Sequence, residues 1–186
     1  MPGGVLLLIV GPSGVGKDTL IGAARTALEP GGQFGFPRRS ITDPADRGEN
    51  HVALSVEAFA AAAAQGAFAL HWRAHGLRYG IPREIDAMLA QGNHVLVNVS
   101  RTVLDAARAT YARRAVVSIT APPEQVAERL RARGREDDAG VRARLTRAVP
   151  GLTGGGDEFE YCNDRPLAET AAGFVDLLRQ ITRDPA

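Results

Sequence analysis

The sequence is short of cysteine, lysine and aromatic residues, and its charges almost cancel. Cys162 is the only cysteine, which excludes an internal disulfide and a CxxC metal or redox site. Aromatic residues make up 5% of the chain, too few to favour a stacking platform for single-stranded nucleic acid. Lys and Arg together number 22 against 21 for Asp and Glu, and the net charge of +1 argues against binding nucleic acid or an anionic membrane.

Long apolar runs are also missing. The run Val5 to Val10 is too short to span a bilayer, and no basic segment precedes it as in a secretory signal. The 186 residues are enough for one domain with a proper core. We therefore expect a single cytoplasmic domain over residues 1–186, without a nucleic-acid or membrane partner. The sequence leaves open whether the chain forms a homodimer.

The one lysine stands out among 21 arginines. Such an excess of arginine is most simply a drift in composition. A single retained lysine, Lys17, then indicates a site where a compact charge on a flexible stem is needed and a planar guanidinium would not serve. A close-packed phosphate-binding loop is such a site.

Strands and helices alternate along the chain. Continuous apolar runs predict strands buried on both faces of a parallel sheet at 5–10, 94–99 and 116–120. Shorter strands are predicted at 36–42, 68–72 and 158–163. Helices are predicted at 16–28, 56–65, 82–91, 102–111, 122–133, 141–149 and 167–181. This alternation predicts a three-layer α/β fold with a mostly parallel sheet.

A phosphate-binding loop follows the first predicted strand and precedes a helix. Its GxxxxGK pattern consists of Gly11, Pro12, Ser13, Gly14, Val15, Gly16 and Lys17. Glycines let the chain curl so that backbone N–H groups point at phosphate oxygens, and the helix adds its positive N-terminal end. The order of strand, loop and helix predicts that Lys17 reaches the β- and γ-phosphates of ATP.

The residue after Lys17 departs from the usual pattern. Ser or Thr normally stands there and helps to hold Mg²⁺, but this chain has Asp18, with Thr19 next. A carboxylate is a good magnesium ligand, directly or through water, and both residues are metal candidates. The alternative is that Asp18 only compensates the helix dipole.

Several short motifs beside this loop resemble the guanylate kinase-type nucleoside monophosphate kinases. They are Arg47-Gly48-Glu49, Tyr79-Gly80, an arginine-rich segment at 129–144 and Asn163-Asp164. The resemblance implies a P-loop NTPase fold with an acceptor-binding region at about 34–82 and a lid at about 129–147. It also implies ATP and Mg²⁺, with Arg129 and Asn163 on the adenine side. The lid candidates are Arg133, Arg135, Arg142 and Arg144, whose alternative role is a solvated helix face.

The residues that would read guanine do not match. We align Arg73 with the family's base-reading Glu, and Ile81 follows Tyr79-Gly80 where Ser or Thr is usual. Arg accepts no hydrogen bond and Ile has no polar atom, so neither can read the base edge. Asn98 stands where the family has an acidic residue.

A narrower resemblance, to the ribose 1,5-bisphosphate phosphokinase family, fits these replacements. It is carried by Gly-Pro-Ser-Gly-x-Gly-Lys-Asp at 11–18, Glu49-Asn50-His51, the 72–80 block and 96–101. It implies that the chain makes 5-phosphoribosyl 1-diphosphate from ATP and a phosphorylated sugar, within phosphonate breakdown. Asp43 departs from the family, because an Arg is usual after Thr42. The candidate acceptor-binding residues are Arg38, Arg39, Arg47, His51, Arg73, Arg78, Tyr79, Asn98 and Arg101.

Three alternatives stay open from the residues alone. A guanylate kinase is disfavoured by Arg73 and Ile81. A small-sugar kinase that phosphorylates a hydroxyl would need a carboxylate base, for which Asp43 is the loop candidate. A binding module without catalysis would be expected to lose its phosphate loop, yet this chain keeps Lys17.

Overall fold

The computed structural model describes residues 3–43, 51–132 and 156–183. Its strands are β1 (Leu6–Val10), β2 (Phe34–Gly35), β3 (Arg39–Ile41), β4 (His51–Ala53), β5 (Phe68–Ala74), β6 (Leu77–Pro82), β7 (His94–Asn98), β8 (Arg114–Thr120) and β9 (Glu158–Cys162). Its helices are α1 (Lys17–Leu28), α2 (Val56–Ala64), α3 (Glu84–Ala90), α4 (Leu104–Thr110), α5 (Pro123–Ala132) and α6 (Leu167–Arg183). None of these helices is long and apolar enough to cross a membrane.

The main sheet is parallel throughout, with strand order β2-β7-β1-β8-β9. All five residues of β1 are buried, because helices cover both faces of this strand. In the register, Leu7 lies between Leu96 and Ala115. The continuous apolar runs therefore form the centre of the sheet, as the sequence predicts.

Alternate residues of β1 enter two different hydrophobic clusters. Leu7 and Ile9 pack with residues of α1, α5 and α6 on one face. Leu6 and Leu8 pack with α3, α4 and a second sheet on the other face. The three-layer α/β architecture predicted from the sequence is thus confirmed.

The second sheet has the order β4-β3-β6-β5 and lies over one face of the main sheet. Its β5–β6 hairpin turns at His75 and Gly76, both with positive φ. The sequence pattern does not predict β6, and it predicts a helix that begins at Pro82. In the structure Pro82 ends β6 and α3 begins at Glu84. Proline is tolerated at either place, so its position alone did not decide between them.

The carboxyl end of β1 is the point from which the site is built. The chain leaves β1 into the glycine loop, and the neighbouring strands β7 and β8 end beside it. In open parallel sheets, ligands bind in the crevice beyond these strand ends. The helix predicted at 141–149 lies outside the described residues.

Candidate active site

Three glycines of the phosphate loop adopt positive φ angles: Gly11 (147°), Gly14 (88°) and Gly16 (92°). Side chains disfavour this backbone region, so the curled loop depends on glycine. A Cβ on Gly11 would also lie 2.4 Å from the Ile119 carbonyl oxygen of β8. The loop therefore packs closely against the carboxyl end of β8. Its glycines are needed both for the positive φ angles and for this close contact.

Lys17 begins α1 and extends back across the loop. Its Nζ donates hydrogen bonds of 2.8 Å to the carbonyl oxygens of Gly11 and Pro12. The ammonium group is thus held at the loop, where the sequence predicts a phosphate contact. The loop, α1 and the lysine form one local unit that suits a nucleotide phosphate chain.

Asp18 lies at the first turn of α1 beside the end of β7. The Asn98 side-chain amide donates a 2.8 Å hydrogen bond to Asp18 Oδ1. This bond orients the carboxylate across 80 positions of sequence. Thr19 is the next residue of α1 and is exposed. An oriented carboxylate next to a phosphate loop fits Mg²⁺, which prefers oxygen ligands and is commonly held by one or two carboxylates together with phosphates and water.

Asn163 and Arg129 both donate side-chain hydrogen bonds to the backbone of the phosphate loop. Asn163 follows β9, is buried, and donates its side-chain amide to the Val15 carbonyl at 2.8 Å. Arg129 of α5 donates to the Asn163 carbonyl at 3.1 Å and to the Val15 carbonyl at 3.4 Å. Both residues, predicted at the adenine side, lie next to the loop. Their contact with a base remains a prediction.

A cavity of about 210 Å³ opens between α1 and the second sheet. Asp18 and Asn98 lie at its wall, so the cavity adjoins the predicted metal and phosphate site. Ile81 of β6 supplies an apolar wall and Arg39 of β3 supplies a cationic one. This cavity is the candidate acceptor site.

The Arg39 guanidinium is held over an aromatic stack. It lies 5.7 Å from the Tyr79 ring centroid, and Tyr79 stacks on Trp72 at 5.3 Å with nearly parallel planes. Trp72 belongs to the hydrophobic core, whereas Tyr79 is half-buried. His51 of β4 pairs with Arg39 in the parallel register and is buried. Among the predicted acceptor residues, Arg39, Tyr79 and His51 therefore lie together.

Arg73 and Arg78 do not share this location. They pair with each other across the β5–β6 hairpin, and Arg73 is exposed. Successive side chains of a strand point to opposite faces, so these arginines face away from the inward-facing Trp72 and Ile81. The β5 residue paired with Ile81 is Leu70, which is buried, so Arg73 does not lie opposite Ile81 in the hairpin.

Other predicted residues lie elsewhere. Arg38 donates to the His51 carbonyl and lines a different cavity, on the Glu84 side. Arg101 donates a 3.0 Å hydrogen bond to Ser118 of β8, and burial lowers the pKa of its guanidinium. Neither lines the 210 Å³ cavity. Several predicted residues lie outside the described ones: Arg47, Arg133, Arg135, Arg142, Arg144 and most of the 129–147 lid.

Arg25 is a cavity residue that the sequence reading missed. It lies on α1, seven positions after Asp18, and lines the same cavity. Residues seven apart in a helix share a face, so this spacing is the signal that could have identified it.

Several curated relatives match nearly the whole chain. "Ribose 1,5-bisphosphate phosphokinase PhnN" of Brucella melitensis biotype 2 is 45% identical over 181 residues, covering 97% of this chain and 94% of the relative. The protein of the same name from Methylobacterium radiotolerans is 48% identical over 179 residues, covering 96% and 99%. No protein-family model matches the chain.

Among solved structures, the guanylate kinase of Anaplasma phagocytophilum matches with a TM-score of 0.67. The match covers 100% of this chain and 89% of that one, at 19% sequence identity. At this sequence identity the match supports a conclusion about the fold and not about the activity. The fold is guanylate kinase-like, as the sequence motifs imply.

Proposed function

The chain belongs to the ribose 1,5-bisphosphate phosphokinase family, and we propose that it transfers a phosphoryl group from ATP to ribose 1,5-bisphosphate. The products are 5-phosphoribosyl 1-diphosphate and ADP. The observation that carries the choice of acceptor is the 210 Å³ cavity beside Asp18 and Asn98, which combines guanidinium groups with apolar walls. Such a cavity suits a phosphorylated sugar.

The chemistry requires positioning more than a general base. The acceptor phosphate is already ionised near neutral pH, so the protein has to hold two anions in line and offset their charge. The glycine loop and Lys17 bind the phosphates of ATP, and Asn98 orients the Asp18 carboxylate. Asp18 and Thr19 are the side chains that would hold Mg²⁺, which would supply positive charge to offset the negative charge that develops on the transferring group. Arginines of the predicted lid would add positive charge and exclude water.

A guanine base is a poor fit for the same cavity. Ile81, Leu96 and Val97 line the cavity and are buried and apolar. A guanine edge against such residues would leave its N–H and carbonyl groups without partners, at about 1–3 kcal/mol for each group. The proposed acceptor has no base and avoids this cost.

An acceptor panel tests the proposal. The protein is assayed for ADP release with ATP and Mg²⁺, using ribose 1,5-bisphosphate, ribose 5-phosphate, ribose and GMP. We expect kcat/KM for the bisphosphate to exceed that for GMP by at least about 30-fold, since two unpaired polar groups cost at least about 2 kcal/mol. Faster turnover of GMP would assign the protein as a guanylate kinase, and faster turnover of ribose would support the small-sugar kinase. ADP release with no acceptor preference would contradict the proposal.

A further inference from the structure

One face of α1 forms a wall of the acceptor cavity. Asp18, Ile21, Gly22 and Arg25 line it, at positions i, i+3, i+4 and i+7. This spacing is that of a single helix face. A Cβ on Gly22 would meet no atom within 4 Å, so the wall is open between its two charged ends. The carboxylate of Asp18 stands at one end and the guanidinium of Arg25 at the other.

The Arg25 guanidinium is fixed in place but is not neutralised by a carboxylate among the described residues. Its Nη2 donates a 3.0 Å hydrogen bond to the Phe36 carbonyl, and its Cζ lies 5.6 Å from the Phe36 ring centroid. Its Nε is buried and has no hydrogen-bond partner in the described part of the chain. A guanidinium has five N–H donors, so most of its capacity is left for an anion.

The position of Arg25 separates it from the phosphoryl transfer itself. Arg25 is eight positions after Lys17, which corresponds to a rise of about 12 Å along the helix. Helical side chains lean toward the N-terminus, which shortens the gap at the guanidinium but does not close it. Arg25 therefore lies too far along α1 to contact the phosphates that react at the loop. It lies at the distance expected for a second anionic group on the acceptor.

We propose that Arg25 binds the distal phosphate of the acceptor, the 5-phosphate of ribose 1,5-bisphosphate, and so selects a doubly phosphorylated sugar. This inference rests on the proposed function. The 1-phosphate lies toward Asp18 and Lys17, and the sugar spans the open wall at Gly22. Phe36 holds the planar guanidinium in a fixed orientation, which favours a two-point contact with phosphate oxygens.

The test compares Arg25→Met and Arg25→Lys with the wild type on two ligands that differ only in the 5-phosphate. The kcat/KM is measured for ribose 1,5-bisphosphate, and the inhibition constant of ribose 1-phosphate is measured by competition. We expect Arg25→Met to lower kcat/KM for the bisphosphate about 10- to 100-fold, the worth of a hydrogen-bonded charge. The KM for ATP and the inhibition constant of ribose 1-phosphate should change less than about 3-fold. Arg25→Lys should recover part of the loss.

Arg179→Met on α6 is the matched control, because it removes a helix arginine that does not line this cavity. Thermal unfolding of each variant shows whether the Phe36 contact matters for the fold. If Arg25→Met weakens binding of ribose 1-phosphate as much as it lowers kcat/KM for the bisphosphate, then Arg25 acts only by holding the backbone at Phe36, just after β2. That result would overturn the inference. An unchanged kcat/KM for the bisphosphate would overturn it as well. A wild type that does not use the bisphosphate would instead overturn the proposed function, and this inference with it.

Discussion

The packing of Asn163 against Gly16 predicts that two destabilising substitutions overlap in their cost. A Cβ on Gly16 would lie 2.4 Å from Asn163 Nδ2, which is the atom that donates to the Val15 carbonyl. Asn163→Ala removes this buried hydrogen bond and leaves the Val15 carbonyl with the 3.4 Å contact from Arg129. The expected cost is about 1–3 kcal/mol of unfolding free energy.

Gly16→Ala has two costs. The positive φ of 92° costs about 1–2 kcal/mol for a residue with a Cβ. The new methyl group also displaces the Asn163 amide, which loses the same hydrogen bond. In the double variant that bond is already absent, so only the backbone cost is added to the cost of Asn163→Ala. We therefore expect the double variant to be about 1–3 kcal/mol less destabilised than the sum of the two single variants.

Urea unfolding followed by circular dichroism measures the four free energies of this cycle. Gly32→Ala is the control, because Gly32 also has a positive φ (69°) but has nothing within 4 Å of an added Cβ. Its cost should be the backbone cost alone and should add to that of Asn163→Ala. If the Gly16 and Asn163 costs add to within about 0.5 kcal/mol, the proposed contact does not exist.

Three other substitutions test the site and the fold. Lys17→Ala should lower kcat by at least about 100-fold, because the charge that stabilises the transferring phosphate is lost. A thermal unfolding midpoint within a few degrees of the wild type would show that the variant is folded. Asp18→Asn should raise the Mg²⁺ concentration that gives the half-maximal rate. If this concentration is unchanged, Asp18 does not hold the metal and only offsets the dipole of α1. His94 accepts from Val5 N–H through Nδ1, and burial lowers its pKa below the usual 6.5. The stability that neutral His94 contributes is fully present above pH 6.5. It declines as the pH falls toward the lowered pKa, because the unfolded chain then binds a proton more readily than the folded protein. Unfolding free energies from pH 8 to 5 should therefore decline more in the wild type than in His94→Gln, and parallel curves would contradict this.

The alternation of strand faces explains which acceptor residues could be anticipated. Arg38 and Arg39 are adjacent in sequence, yet only Arg39 lines the cavity. Arg73 and Arg78 fall on the face opposite Ile81. A shift of one residue in a strand exchanges its two faces, so an alignment of short motifs that is uncertain by one residue could not settle which face each arginine takes.

Long-range contacts were also beyond the reach of sequence patterns. Asn163 meets the Val15 carbonyl across 148 positions, and Asn98 meets Asp18 across 80. The motifs indicate Asp18, Asn98 and Asn163 as site residues. They predict Asn163 at the adenine side and do not predict its hydrogen bond to the loop. The one sequence signal for Arg25 is its position seven residues after Asp18, and in an arginine-rich chain that spacing becomes informative only once the opposite wall of the cavity is known.

The sequence by itself determined what depends on contiguous residues. The apolar run 5–10 and the glycines of 11–16 specify a buried strand and a curled loop, since burial pattern and allowed φ angles are local properties. Tertiary structure alone decided which arginines line the cavity, which amide supports the loop and where Pro82 belongs. Those outcomes depend on how the second sheet packs on the main sheet and how β9 pairs with β8. Packing between distant segments follows from the whole chain and not from any one motif.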